Sequence, residues 1–127
     1  MSYCCPNAAT YEGKPLIGNA QCAVLVEVLA KAPHTSAWRK GRSVRRNLGI
    51  QPGTAIATFD EAGRYPNTST GDHAALYLSQ DAMGIWVIEQ YVGLEKIQKR
   101  RIRFMNGAVP YHHNVANNGD AYSVIER

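Results

Sequence analysis

The 127-residue sequence has no apolar run near the ~18–20 residues that a membrane-crossing helix requires. Its opening, MSYCCPNAATYEGK, lacks the basic-then-apolar order of a secretory leader. The expectation is a protein made in the cytoplasm that leaves it only by some other apparatus. Internal repeats and low-complexity tracts are missing as well. Cysteine is scarce: Cys4, Cys5 and Cys22 make three, an odd number, so at least one thiol stays free or pairs with another chain. No histidine or further cysteine lies at zinc-finger spacing from Cys4 and Cys5, which reads them as an exposed pair without metal or catalytic role. Acidic residues are outnumbered by 10 to 14, leaving a net charge of +4. What is present is ordinary for a globular chain, with 45% hydrophobic and 19% charged residues, and the length suits one domain over residues 1–127.

The strongest local signal is GNAQCAVLVEVLA, Gly18 to Ala30. Asn19 is a favourable helix cap, Glu27 and Lys31 stand four apart, and Pro33 supplies a stop. This predicts a helix from about Ala20, apolar on nearly every side and therefore central and buried. The segment from His34 to Gly49 is polar and basic, with room for a second short helix. QPGTAIATF (Gln51 to Phe59) reads as a Pro-Gly turn and a strand, and DEAGRYPNTSTGD as a loop. HAALYLSQDAMGIWVIEQYVG reads as a hairpin, with strands over 73–78 and 85–91. IQKRRIRF adds a strand with its basic side toward water, and AYSVIER a last one. Helix first, then an antiparallel sheet of roughly five strands, is an α+β layout.

A thiol nucleophile needs help becoming thiolate, a nearby base, and donors for the oxyanion it creates. With Asn19 as cap, Cys22 falls at about the third helical position. There the unpaired amides and positive dipole end favour thiolate and can bind an oxyanion. Of the four histidines, His34 lies beyond the helix's far end, and His112 and His113 sit in the polar loop VPYHHNVANNGD, where they read as surface residues. His73 follows a Gly-Asp loop at the head of a strand, where a rigid element can hold its ring. The returning strand ends in VIEQY, bringing Glu89 and Gln90 alongside, and the two-residue period lets only one of them face His73.

GNAQCAVLVEVL, QPGTAIATF, GDHAALYL and VIEQY, in that order, resemble the papain-like cysteine hydrolases of the NlpC and CHAP type. The resemblance covers residues from about 18 to 91. The small size and YPNTSTGDHAALYL are most similar to the compact amidase effectors delivered by bacterial type VI secretion systems. The resemblance implies a papain-like fold, no metal or organic cofactor, and peptidoglycan stem peptides as substrate, cut in the periplasm of a target bacterium. It also implies a secretion apparatus and a cognate immunity protein that plugs the active site in the producing cell. Carried onto this chain, Cys22 is the nucleophile, His73 the base and then acid, and the third position falls at Glu89 or Gln90. Glu89 is favoured because a carboxylate stabilises an imidazolium better than an amide does. The backbone N–H of Cys22 contributes to the oxyanion hole. Gln21 is a candidate side-chain donor, although papain-like enzymes place that glutamine several residues earlier.

The basic stretches Trp38 to Asn47 and Lys96 to Phe104 suit carboxylate-bearing stem peptides, with Trp38 and its neighbouring arginines at a cationic cleft rim. They also carry a rival reading, a nucleic-acid-binding module; a third reading is a binding domain that keeps the fold without activity. With two Phe, no stacking motif, no recognition helix and no zinc site, nucleic acid is not the expected partner.

Overall fold

The computed structural model of the protein describes residues 2–66, 72–106 and 115–127. The described residues form one α-helix, α1 (Cys22–Leu29), and six strands: β1 (Arg39–Ser43), β2 (Ala55–Thr58), β3 (Ala74–Gln80), β4 (Gly84–Glu89), β5 (Gln98–Arg103) and β6 (Tyr122–Glu126). The strands make a single antiparallel sheet in the order β1-β6-β2-β3-β4-β5. The α+β class and the helix-first order agree with the sequence. The strand count does not, because the basic stretch after His34 supplies β1 rather than a second helix. Only a single 3-10 turn, Thr35–Ala37, precedes it. The strand sequence RKGRS has no apolar residue and lies mostly exposed at the sheet's outer edge, where charge discourages pairing with another chain.

Alternation along the inner strands sorts the core into two layers. Ala55, Ala57, Ala74 and Leu76 turn toward Leu25 and Val26 of α1, with Trp38, Ile88 and Ile125 completing that layer. Three alanines beneath the helix leave it room to sit close to the sheet. Ile56, Ala75, Tyr77, Ile85, Val87 and Tyr122 fill the opposite layer. β2 is therefore buried on both faces.

The helix is shorter than the apolar run suggests, and less enclosed. Ala20 adopts φ +71°, which excludes it from a right-handed helix, so Gln21 is the cap and Cys22 the first helical residue. Asn19 is not the cap; it lies two residues before it, where its Oδ1 accepts the Gln21 N–H at 3.0 Å. Gly18 is needed in the same turn, since a Cβ there would stand 2.8 Å from Val24 Cγ1. At the other end Lys31 takes φ +59°, so the helix stops at Leu29 and the Glu27–Lys31 spacing is not a helical one. Val28 is 54% exposed, so one side of α1 faces solvent.

Cys4 and Cys5 are likewise not an exposed pair. The N-terminal segment runs beside β2, where Cys5 N–H donates to Gly53 O at 2.9 Å and Ala55 N–H to Tyr3 O at 2.8 Å. This buries Cys5 in the helix-side core and leaves Cys4 half-buried; all three thiols are free.

Candidate active site

Cys22 enters the site from the helix start, His73 from the head of β3 and Glu89 from the end of β4. As the first residue of α1, Cys22 belongs to the turn whose leading amides have no carbonyl four residues back inside the helix. Its Sγ lies 3.5 Å from the Tyr65 hydroxyl. The backbone of His73 is pinned to β2 through Thr58: His73 N–H donates to Thr58 Oγ1 at 3.0 Å, and Thr58 N–H donates to His73 O at 3.0 Å. The His73 ring is buried, and its Nε2 meets Glu89 Oε1 at 2.7 Å.

Of the two candidates on β4, it is Glu89 that reaches His73. Its fully buried carboxylate is also held from β5. Gln98 Nε2 donates to Oε2 at 2.6 Å, Arg100 Nε to Oε2 at 2.5 Å and Arg100 Nη2 to Oε1 at 3.0 Å. Register explains this. Gln98 lies directly opposite Glu89 in the β4–β5 ladder, and Arg100 is its diagonal neighbour on the same face. Strand β5 was expected to turn its basic side to water. Arg100 instead points inward, while Lys99 and Arg101 approach Trp86 and Arg101 pairs with Asp81.

Gln90 works on the other side of the strand end. Its Oε1 accepts the Ile17 N–H at 2.8 Å, and its Nε2 donates to Ile17 O at 3.0 Å and Gln21 O at 2.9 Å. It clamps the segment leading into α1 and does not contact His73. At Gln21 the fold uses the backbone carbonyl, while the residue itself is exposed. Trp38 is not at a solvent-facing rim: it is 3% exposed, donates from Nε1 to Pro33 O at 2.8 Å, and packs against Tyr65 with ring centroids 4.8 Å apart. His34 caps the Thr35–Ala37 turn, its Nδ1 accepting the Ser36 N–H at 3.2 Å. His112 and His113 lie outside the described residues.

The electrostatics pull a proton from sulfur to nitrogen. Burial is the largest influence on Cys22 and pushes its thiol up. Hydrogen bonds from His73, Tyr65 and the Ala74 amide, with the His73 charge, outweigh burial and bring the thiol below its ordinary value. Burial also works against an imidazolium at His73, but the hydrogen bonds and charges of Cys22 and Glu89 raise the ring to about 9. Burial would raise Glu89, and His73 and Arg100 more than reverse it, holding the carboxyl at about 2. Tyr65 is pushed far above its usual range by burial, then by Cys22 and Asp72, so its hydroxyl stays protonated. The shifts all favour one chain of alternating charge: Cys22 thiolate, His73 imidazolium, Glu89 carboxylate, Arg100 guanidinium. A thiolate beside an imidazolium, fixed through a buried carboxylate, is equipped for nucleophilic acyl transfer. Among the described residues no group of three His, Cys, Asp or Glu side chains is placed to hold a metal ion.

Arg100, Gln98, Thr58 and Tyr65 escaped sequence reading. The only available signal was parity: Gln98 and Arg100 stand two apart, as residues sharing one strand face must.

Comparison with known proteins points the same way. The model of a family described as domesticated amidase effector 2 matches residues 1–125. A type VI secretion amidase effector 2 protein of Salmonella typhi is 37% identical over 134 residues, covering 99% of this chain and all of that protein. A domesticated amidase effector 2 of Ixodes scapularis is 33% identical over 128 residues, covering 96% of this chain and 83% of that one. A solved structure of a type 6 secretion amidase effector 2 superposes with a TM-score of 0.88 at 37% identity, over 98% of this chain and 94% of that one.

Proposed function

The chain belongs to the domesticated amidase effector 2 family, and from that premise we propose that it is a cysteine amidase that cuts peptide bonds in bacterial peptidoglycan, with Cys22 as nucleophile. The observation that carries the assignment is the Cys22–His73–Glu89 chain, half-buried at the thiol and buried at the ring and carboxylate, with the thiol lowered and the imidazole raised.

The Cys22 thiolate attacks the amide carbonyl carbon, forming the S–C bond and moving the carbonyl electron pair onto oxygen. The amides of the first turn of α1, that of Cys22 among them, receive the oxyanion. Since Nε2 of His73 is engaged by Glu89, its proton traffic runs through Nδ1. That proton passes to the departing nitrogen as the C–N bond breaks. His73 then takes a proton from water, whose oxygen attacks the thioester and releases the acid and the thiolate. Glu89 holds the ring's orientation and stabilises its charged form; Arg100 and Gln98 hold Glu89.

In this role the protein is an antibacterial effector delivered by a type VI apparatus to the periplasm of a target cell. Its producer is protected by a cognate immunity protein that occludes the site. Mass spectrometry of muropeptides released from purified peptidoglycan tests the activity. Wild type is expected to release cleaved stem peptides, Cys22→Ala none, and His73→Ala about 10²–10⁴-fold less. Equal release by wild type and Cys22→Ala would overturn the assignment.

A further inference from the structure

A cleft of about 580 Å³ adjoins the nucleophile and plays no part in the acyl-transfer steps. Its lining includes Trp38 and Tyr65, two buried aromatic residues in contact with each other, and two exposed arginines, Arg39 and Arg64. Tyr65 belongs to both places: it is among the residues lining the cleft, and its hydroxyl lies 3.5 Å from Cys22 Sγ. The cleft and the reacting sulfur therefore share Tyr65 as a neighbour.

The arginines are presented by well-fixed backbone. Arg64 ends a closed turn in which Asp60 N–H donates to Arg64 O at 2.8 Å and Gly63 N–H to Asp60 O at 3.0 Å. The Asp60 carboxylate is occupied by the Ala62 and Arg64 amides, each at 2.9 Å. Arg39 opens β1, directly after Trp38, whose ring is locked by its bond to Pro33 O. Among the described residues neither Arg39 nor Arg64 belongs to an ion pair, whereas Arg45, Arg100 and Arg101 all do. Glu126, opposite Arg39 in the β1–β6 ladder, lines a separate cleft. Among the described residues no carboxylate lines the cleft. Two exposed guanidinium forks lining one cleft, with no ion-pair partner among the described residues, are complementary to a carboxylate.

We propose that Arg39 and Arg64, in the cleft they share with Tyr65, form a substrate subsite that binds a free carboxylate of an acidic peptide flanking the scissile amide. The proposal rests on the amidase reading for its substrate, and it adds what that reading does not contain: which residues select the peptide, and by which group. Selection by charge makes the enzyme sensitive to amidation of the stem peptide.

Binding and turnover separate the two claims. Cross-linked muropeptides are titrated calorimetrically into Cys22→Ala protein, in their carboxylate form and after carbodiimide coupling with ammonia converts the carboxylates to carboxamides. The titrations are repeated with Arg39→Gln and Arg64→Gln added. The expected result is about 10- to 100-fold tighter binding of the carboxylate form, lost in the triple variant, with carboxamide binding changed less than about twofold. Equal carboxylate affinity with and without the arginines, or equal losses on both forms, overturns the subsite. Cleavage of peptidoglycan by the wild-type chain is measured separately, so a failed amidase reading shows as absent turnover whatever the titrations report. Iodoacetamide labelling of Cys22 in an Arg39→Gln, Arg64→Gln protein at the wild-type rate confirms that the nucleophile itself is undisturbed.

Discussion

A hydroxyl 3.5 Å from a sulfur changes when that sulfur becomes a nucleophile. The Tyr65 hydroxyl is one of the groups that lower the Cys22 pKa, so Tyr65→Phe, which keeps the ring on Trp38, raises it. The rate of iodoacetamide labelling against pH should show its acid limb displaced upward in the variant, with the plateau unchanged. An unmoved limb would deny Tyr65 that role. In the wild type, kcat/KM should climb as Cys22 ionises, below the ordinary thiol value of 9.0, and fall as His73 loses its proton near 9. At this scale the sequence singled out Cys22 and His73, because position within a pattern marked both, and the structure brings the two together. It left Glu89 and Gln90 unresolved, because the choice depends on which way a strand end faces. It concealed Arg100 and Tyr65, since one sits in a basic run that resembles a solvated surface and the other in a loop. Their partners are distant in sequence, and only the ladder register and the loop's return bring them in.

Between elements, Gln90 ties the end of β4 to the approach of α1. Replacing it with leucine leaves the Ile17 N–H and the Ile17 and Gln21 carbonyls without their buried partner. The cost is about 1–3 kcal/mol for each group that water cannot reach. Hydrogen exchange at the Ile17 amide should accelerate in Gln90→Leu well beyond that of the amides in β3, and labelling of Cys22 should slow. Uniform acceleration across both would show general destabilisation instead of a local clamp. Five of the six strands were readable because each carries apolar residues on at least one face. β1 was not, because an edge strand covered on neither face has nothing to alternate. The start of α1 was placed too early for a related reason. Apolar residues and a cap at Asn19 predict a helix, and the left-handed Ala20 that delays it stands just before Gln21, whose carbonyl is held from β4 by a residue far away in sequence.

For the molecule as a whole, the net charge of +4 overstates how much of the surface is available to an anion. Arg45, Arg100 and Arg101 are engaged by Asp120, Glu89 and Asp81, so both basic stretches are partly structural. Glu89 in turn couples the fold to pH. Its folded pKa of about 2 lies below the ordinary 4.5, so its contribution to stability is complete above 4.5 and disappears as pH falls through about 2. Urea midpoints should therefore drop across that window in the wild type. In Glu89→Gln they should start lower at pH 7, by about 3–5 kcal/mol of stability for a broken buried pair, and vary less with acid. A parallel decline in both proteins would locate the acid sensitivity elsewhere. Glu89 and Gln90 are also consecutive, one holding the His73 ring and the other the segment that leads into the helix of Cys22. In an engineer's sense they share a datum. Through those hydrogen bonds the end of β4 fixes both the ring and the approach to the sulfur against one reference, so their placement does not depend on the length of chain between them.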